Sequence, residues 1–479
     1  MKPSEQQPTT PTDRVRLDPA GAAARTPSEV VEHLRTNTRT RLAHSKRFRV
    51  NQLEAFDRML TQHRQELLDA LQEDLGKSST EAQLTELAMV NNELDHARRH
   101  LEDWMHTRSI PTPFALSPAT ATVSRRPLGL VLIIAPWNYP VNLTLIPLVD
   151  AIAAGNAVVL KPSELAPATA RVLERIVPQH LDHRAVAVVN GGAEVNAELL
   201  RHKFDHILYT GGERVGRIVY EAAAKQLTPV TLELGGKCPV VVADGDPMGI
   251  ARRIAYGKFA NAGQTCVAPD YVLAVGPMAK KLERAFPKVI QEFYGSEPKD
   301  SKDFGRIINA SHVSRLEGLL SSGRTLAGGQ VDAGRRYVAP TILTDVTGDD
   351  PVMQEEIFGP ILPIIAVPSV DDALRFIGDR PDPLAAYIFS ERGHTVRAFE
   401  DGVRAGAVGV NQTILHLAVP ELPFGGVGAS GIGAYHGRAG FETFSQARPT
   451  LSKNIRLDTL KALYPPYGAA KSAVLRKLV

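Results

Sequence analysis

A chain of 479 residues is too long for one ordinary domain, and 43% hydrophobic with 22% charged residues is a globular composition able to bury more than one core. A formal net charge of +3 leaves no electrostatic footprint for nucleic acid, and no apolar run reaches membrane-spanning length, so a soluble protein without a membrane span is expected. The two cysteines, Cys238 and Cys266, fall in no CxxC or repeated spacing, which excludes a disulfide framework or zinc ribbon and favours a reducing, cytoplasmic setting.

Residues 1–25 are polar and proline-rich without the apolar core of a secretory signal and are expected to form a flexible tail. From about Thr26 to Arg108 apolar residues recur at three and four, predicting two or three long amphipathic helices. His96 and His100 lie one helical turn apart, a spacing that a metal ion uses. No HExxH glutamate and no nearby third ligand accompany them, so a solvated helix face is expected and no metal site.

Ser109 to Arg126 breaks the helical pattern with prolines and then alternates small apolar and β-branched residues, as a protruding hairpin would. An apolar run, GLVLIIAPWNYP, then a helical LTLIPLVDAIAAG, then NAVVLKPSE spell strand, helix, strand. The alternation continues to PVTLEL, giving a doubly wound nucleotide-binding layout in which ligands sit at the carboxyl ends of strands. Those ends hold Trp137, Asn138, Lys161, Glu164, Gly211, Gly212 and Glu233. After Gly235-Gly236 a second α/β pattern begins at CPVVVAD and runs through Cys266 to AAYIFS. Gly425 to Gly433 (GGVGASGIG) reads as a mobile loop by composition, and the last basic stretch as a surface helix or packing arm in preference to a membrane-adhering one.

Several residues at these strand ends carry chemistry. Cys266, in FANAGQTCVAPD, sits among small residues between a helix and a strand, where backbone N–H groups can meet developing negative charge; its alternative is a small buried hydrophobe. Glu233 is an acid in an apolar strand, a general base if buried and an ordinary exposed side chain if not. The Asn138 amide is suited to an oxyanion or to capping the next helix. Gly211 to Gly216 (GGERVG) lacks the Lys and Ser/Thr of an NTP-hydrolysing loop but suits a pyrophosphate at a helix N-terminus. Gly426 to Gly431 matches GxGxxG out of context, following no strand, and is set aside.

Taken in order, PWNYP, KPSE, YTGG…VG, LELGGK, GQTC, EEIFGP and PFGG resemble the aldehyde dehydrogenase superfamily, over roughly Thr26 to Pro466. GQTCVAPDY, the HLAVPELPFGGVGASGIGAYHG run, FETFS and the late YPP resemble its class 3-like branch of fatty, aromatic and coniferyl aldehyde dehydrogenases. The resemblance implies two doubly wound α/β domains plus a small bridging β element that serves oligomerisation. It implies a dinucleotide-binding domain of residues 26–109 and 127–235, a catalytic domain of 236–422, a bridging element of 110–126 and 440–466, and a C-terminal tail of 467–479.

The same resemblance implies roles. Cys266 would be the nucleophile, Glu233 the general base, and Asn138 an oxyanion donor with the Cys266 backbone N–H. NAD or NADP would be held by Trp137, Lys161, Glu164, the turn Gly211, Gly212, Glu213, Arg214, Val215 and Gly216, and by Leu234, Gly235, Glu356 and Phe358. Gly212 stands where a serine is common, and Glu213-Arg214 are bulkier than usual there. The implied reaction is oxidation of medium- or long-chain aliphatic or aromatic aldehydes to acids by a homodimer. A CoA-acylating relative and a non-catalytic binding protein of the same fold are the rivals, and retention of Glu233, Cys266 and Asn138 speaks against both.

Overall fold

The structure is a computed structural model describing residues 25–459, 461, 464–469 and 471–472. The expected N-terminal tail, but for Arg25, and most of the C-terminal tail lie outside the described residues. The amino-terminal text folds as expected into helices. Pro27–Thr38 opens on a reciprocal cap between Thr26 and Glu29, Lys46–Gln62 on the Ser45 hydroxyl, and Arg64–Leu75 stops at Gly76, whose φ of +64° suits glycine. Ser79–Ala82 and Ala88–Met105 form one further helical run interrupted by a π turn, Gln83–Leu87, which turns Glu86 into the interior. Leu53, Phe56, Met59, Leu67 and Leu71 of these helices join one core with Leu145, Leu148 and Ile152 of Asn142–Ala154, a helix buried along its whole length.

Among the described residues eighteen strands follow. β1 (Arg108–Ile110) and β2 (Ala119–Pro127) form the expected hairpin. β3 (Leu130–Ile134), β4 (Ala157–Lys161), β5 (Val186–Val188), β6 (His206–Thr210) and β7 (Val230–Glu233) build a parallel sheet, buried on both faces and therefore almost continuously apolar. β8 (Pro239–Val242), β9 (Tyr271–Val275), β10 (Arg324–Ala327), β13 (Thr341–Thr344), β14 (Ile361–Val367), β15 (Ala385–Phe389) and β16 (Ala407–Val410) make a second sheet in the order β10-β13-β14-β9-β8-β15-β16, parallel except at β10. A small ribbon, β11 (Val331–Asp332) and β12 (Tyr337–Val338), stands apart from it.

Two strands close the design. β17 (Gly431–Ile432) pairs antiparallel with β7, so the first sheet runs β17-β7-β6-β3-β4-β5. This corrects the expectation of a mobile loop at Gly425 to Gly433. Leu234 N–H donates to the Ser430 carbonyl at 3.0 Å, and a Cβ at Gly426 or Gly431 would collide with the carbonyl oxygen of Ser430 or Leu232. The glycines permit close backbone packing there. β18 (Ser445–Lys453) pairs with all nine residues of β2 and leaves its other edge unpaired among the described residues, with seven of its nine residues exposed.

Candidate active site

Four adjacent strands of the first sheet, β7, β6, β3 and β4, point their carboxyl ends the same way, and the residues that follow them form one side of the site. The other side is the segment that leads from the helix Pro247–Phe259 into β9. There Asn261, Ala262 and Gly263 take φ of +52°, +51° and +77° in succession, a tight left-handed reversal. A Cβ at Gly263 would meet the Gly359 carbonyl, so glycine is required where this turn crosses the EEIFGP loop.

The reversal is held by a closed set of amide bonds. Gln264 Nε2 donates to the carbonyls of Asn261 (2.9 Å) and Arg306 (3.0 Å), and its Oε1 accepts from Ile308 N–H at 2.9 Å. Asn138 Nδ2 donates to the Gln264 carbonyl at 3.0 Å, and the Tyr139 and Thr265 hydroxyls meet at 2.7 Å. The Cys266 carbonyl accepts from the Cys238 thiol at 3.3 Å, and the Val267 carbonyl from the Tyr387 hydroxyl at 2.6 Å. Cys266 is therefore fixed by its neighbours' backbone while its own side chain stays partly exposed, and Cys238 is fully buried. The alternative of an inert packed thiol falls to Cys238.

Glu233 lies at the end of β7 and is 1% exposed, so the wet-strand alternative does not hold. Burial raises its pKa to about 8, against opposing pulls from the Cys266 thiol and the Thr210 hydroxyl. Neither carboxyl oxygen makes a hydrogen bond of normal geometry, which leaves the group free to turn toward a water or the thiol. Burial, together with the Glu233 and Glu356 carboxylates, holds the Cys266 thiol well above its ordinary range. A thiol so placed is protonated at rest and must lose its proton before it attacks.

Asn138 is 3% exposed and does not cap the next helix. Its carbonyl accepts from Lys77 Nζ (3.1 Å) and Asn261 Nδ2 (2.7 Å), and one hydrogen of its own amide is used by Gln264, leaving the other available. Lys77 in turn pairs with Glu86 at 2.6 Å with both side chains fully buried, and the second Glu86 oxygen accepts from the N–H groups of Val141 (3.2 Å) and Asn142 (2.8 Å). Glu86 thus does the capping expected of Asn138.

Among the residues expected to hold a dinucleotide, Lys161 ends β4 and pairs with Glu164 at 2.9 Å; burial lowers the Lys161 pKa while Glu164 opposes. Gly212 begins the helix Glu213–Lys225 with no side-chain cap, so its first N–H groups stand open to an anion, and Gly212 itself has nothing packed where a side chain would be. Gly216 packs on Leu234, and Val215 joins the same cluster. Glu213 is taken up by Arg217 on the next turn, and Arg214 is exposed, so neither bulky residue blocks Gly212. A Cβ at Gly235 would strike the Glu356 carboxyl, whose pKa burial and Asp270 raise. Phe358, at φ +46°, sets its ring edge-on to Trp137 at 5.3 Å. An uncapped helix N-terminus, an ion pair at the end of β4 and a glycine beside a carboxylate fit a nicotinamide dinucleotide.

Sequence reading missed Lys77, Glu86, Asn261, Thr210, Tyr435 and Lys258. Lys258 is fully buried with an unpartnered Nζ 4.0 Å from Asp270, and burial lowers its pKa to about 8. The helix-face expectation for His96 and His100 is also corrected: His96 is buried and Glu421 lies beside it, 321 positions after His100.

Comparison with known proteins agrees with this arrangement. The model of the aldehyde dehydrogenase family matches residues 10–449. Mouse aldehyde dehydrogenase family 3 member B2 is 50% identical over 423 residues, 88% of each chain. The rat dimeric NADP-preferring aldehyde dehydrogenase is 45% identical over 444 residues, 92% of this chain and 98% of its own. The substrate-bound structure of Staphylococcus aureus AldH superposes with a TM-score of 0.92 at 41% identity, over 94% of this chain and 99% of that one. The chain belongs to the aldehyde dehydrogenase family and to its class 3-like branch.

Proposed function

We propose that this chain, an NAD(P)-dependent aldehyde dehydrogenase, works through a thioester on Cys266, with Glu233 as base and Asn138 as oxyanion donor. The observation that carries the proposal is the meeting of a partly exposed thiol with a buried carboxyl, with a half-used amide bonded to the carbonyl two residues before the thiol. The Cys266 sulfur adds to the aldehyde carbon as its thiolate, its proton passing to solvent through water. The spare Asn138 hydrogen and the Cys266 backbone N–H meet the alkoxide; one such donor lowers the barrier by about 3 kcal/mol. NAD(P)+, when bound, supplies the hydride acceptor. Loss of hydride leaves a thioester on Cys266, and Glu233 takes a proton from the water that hydrolyses it to the acid.

Gly211 to Gly216 are proposed to receive the pyrophosphate, Lys161 and Glu164 the adenosine ribose, and Glu356 the nicotinamide ribose, with Trp137, Leu234, Gly235 and Phe358 as walls. Glu164 suits a free 2′-hydroxyl and Lys161 a 2′-phosphate, so the pair accommodates either cofactor. The expected substrates are medium- or long-chain aliphatic and aromatic aldehydes, as in the branch. The exposed edge of β18 supports a homodimer built edge to edge. The six-, seven- and three-stranded sheets support a division into dinucleotide-binding, catalytic and bridging domains. Two free cysteines suit a reducing compartment such as the cytoplasm, and among the described residues no helix is long and apolar enough to cross a membrane. NAD(P)H formation with a panel of aliphatic and aromatic aldehydes tests the reading; no reduction with any of them would end it.

A further inference from the structure

On the helix Ala88–Met105, His96 and His100 lie 4.3 Å apart between ring centroids, their planes tilted by 40°, and the segment following β16 brings Glu421 against them. One ligand atom from each of the three lies within 4.8 Å of the other two. His96 is 5% exposed and its Nε2 has no hydrogen-bond partner, because its 3.1 Å approach to Glu421 Oε1 is misaligned for one. A buried ring nitrogen without a partner is costly unless something uses it.

The second histidine is already oriented for coordination. His100 Nδ1 lies 2.9 Å from the His96 carbonyl, and since a carbonyl only accepts, Nδ1 carries the proton. That tautomer leaves Nε2 with a free lone pair, the arrangement by which a backbone carbonyl steers a metal-binding imidazole. The Glu421 side chain is 59% exposed and free to swing inward, as it must for ligand atoms to close to the roughly 3.3 Å mutual spacing of a tetrahedral zinc shell.

We propose that His96, His100 and Glu421 bind a divalent transition-metal ion of the Zn2+ type, with water completing the shell. Two imidazoles and one carboxylate suit Zn2+ or Co2+ and not Ca2+ or Mg2+, which take oxygen ligands. The ion clips the segment after β16 to the amino-terminal helices. That segment leads in three residues from Glu421 to Phe424, which exchanges both backbone hydrogen bonds with Tyr435 at 2.9 Å. The fully buried Tyr435 phenol lies near Thr210 and Glu233. Metal binding therefore stiffens a segment anchored at the active site.

The test uses untagged full-length protein carrying Cys266→Ala, which removes the one partly exposed thiol that would also take zinc, after dialysis against a chelator. Zn2+ is titrated by calorimetry and Co2+ by visible absorption. One ion per chain with an intense tetrahedral Co2+ spectrum is expected, and His100→Ala or Glu421→Gln should weaken binding roughly tenfold or more. Both positions are at least partly exposed, so unchanged metal-free melting curves are expected, and the same substitutions on the Cys266 background should leave metal-free turnover unchanged. No stoichiometric binding, or equal affinity in both variants, would overturn the site.

Discussion

Glu233→Gln separates the base from every other part of the site. The carboxyl is buried, unbonded and raised from 4.5 to about 8, so at pH 7 only about a tenth of it is ionised and at pH 8 about half. Wild-type thioester hydrolysis should therefore rise about tenfold per pH unit below 8 and level off above it. The glutamine variant cannot accept a proton, and its steady-state rate should fall by about 10²–10⁴ with that pH dependence lost. Stopped-flow mixing with aldehyde and NAD should still show a first turnover of one NADH per active site, since attack and hydride loss precede hydrolysis.

The same shift has a consequence for stability. Because the folded pKa lies above the unfolded one, the stability carried by the neutral carboxyl is full below about 4.5 and is lost as pH rises through about 8. A shift of this size is at most roughly 5 kcal/mol. Glutamine has no such loss, so Glu233→Gln should melt above the wild type at pH 9 and the two should converge near pH 5. Parallel melting curves across that range, or a variant with no first turnover, would refute the reasoning.

Three other perturbations give distinct readouts. Asn138→Ala should lower kcat about 10²- to 10³-fold by removing an oxyanion donor, measured by steady-state kinetics with cofactor affinity checked by fluorescence. Lys77→Met strands the buried Glu86 carboxyl and should cost about 3–5 kcal/mol in denaturant unfolding, and adding Glu86→Gln should recover a good part of it. Gly263→Ala forces a side chain into the Gly359 carbonyl at φ +77°, so little folded protein is expected by circular dichroism.

Much of the architecture was legible because parallel strands buried on both faces must be apolar, so β3, β4 and β6 stand out from the amphipathic helices around them. The residues at their ends were legible for the complementary reason: Asn138, Lys161 and Glu233 are polar where apolar text stops. What escaped was long-range pairing. Lys77 and Glu86 read as charges on a helix face, and only the fold shows that they neutralise each other and hold Asn138. Gly425 to Gly433 reads as a loop because glycine suits loops, but here it suits close approach to β7. β16, four residues containing a glycine, is too short to announce itself.

The central claim is a covalent acyl group on Cys266. Glu233→Gln, mixed with excess aldehyde and NAD, then quenched in acid and digested, should show the acyl mass on the peptide carrying Cys266 and unmodified Cys238. An unmodified Cys266 in enzyme that has released one equivalent of NADH, or the acyl group on any other residue, would contradict it.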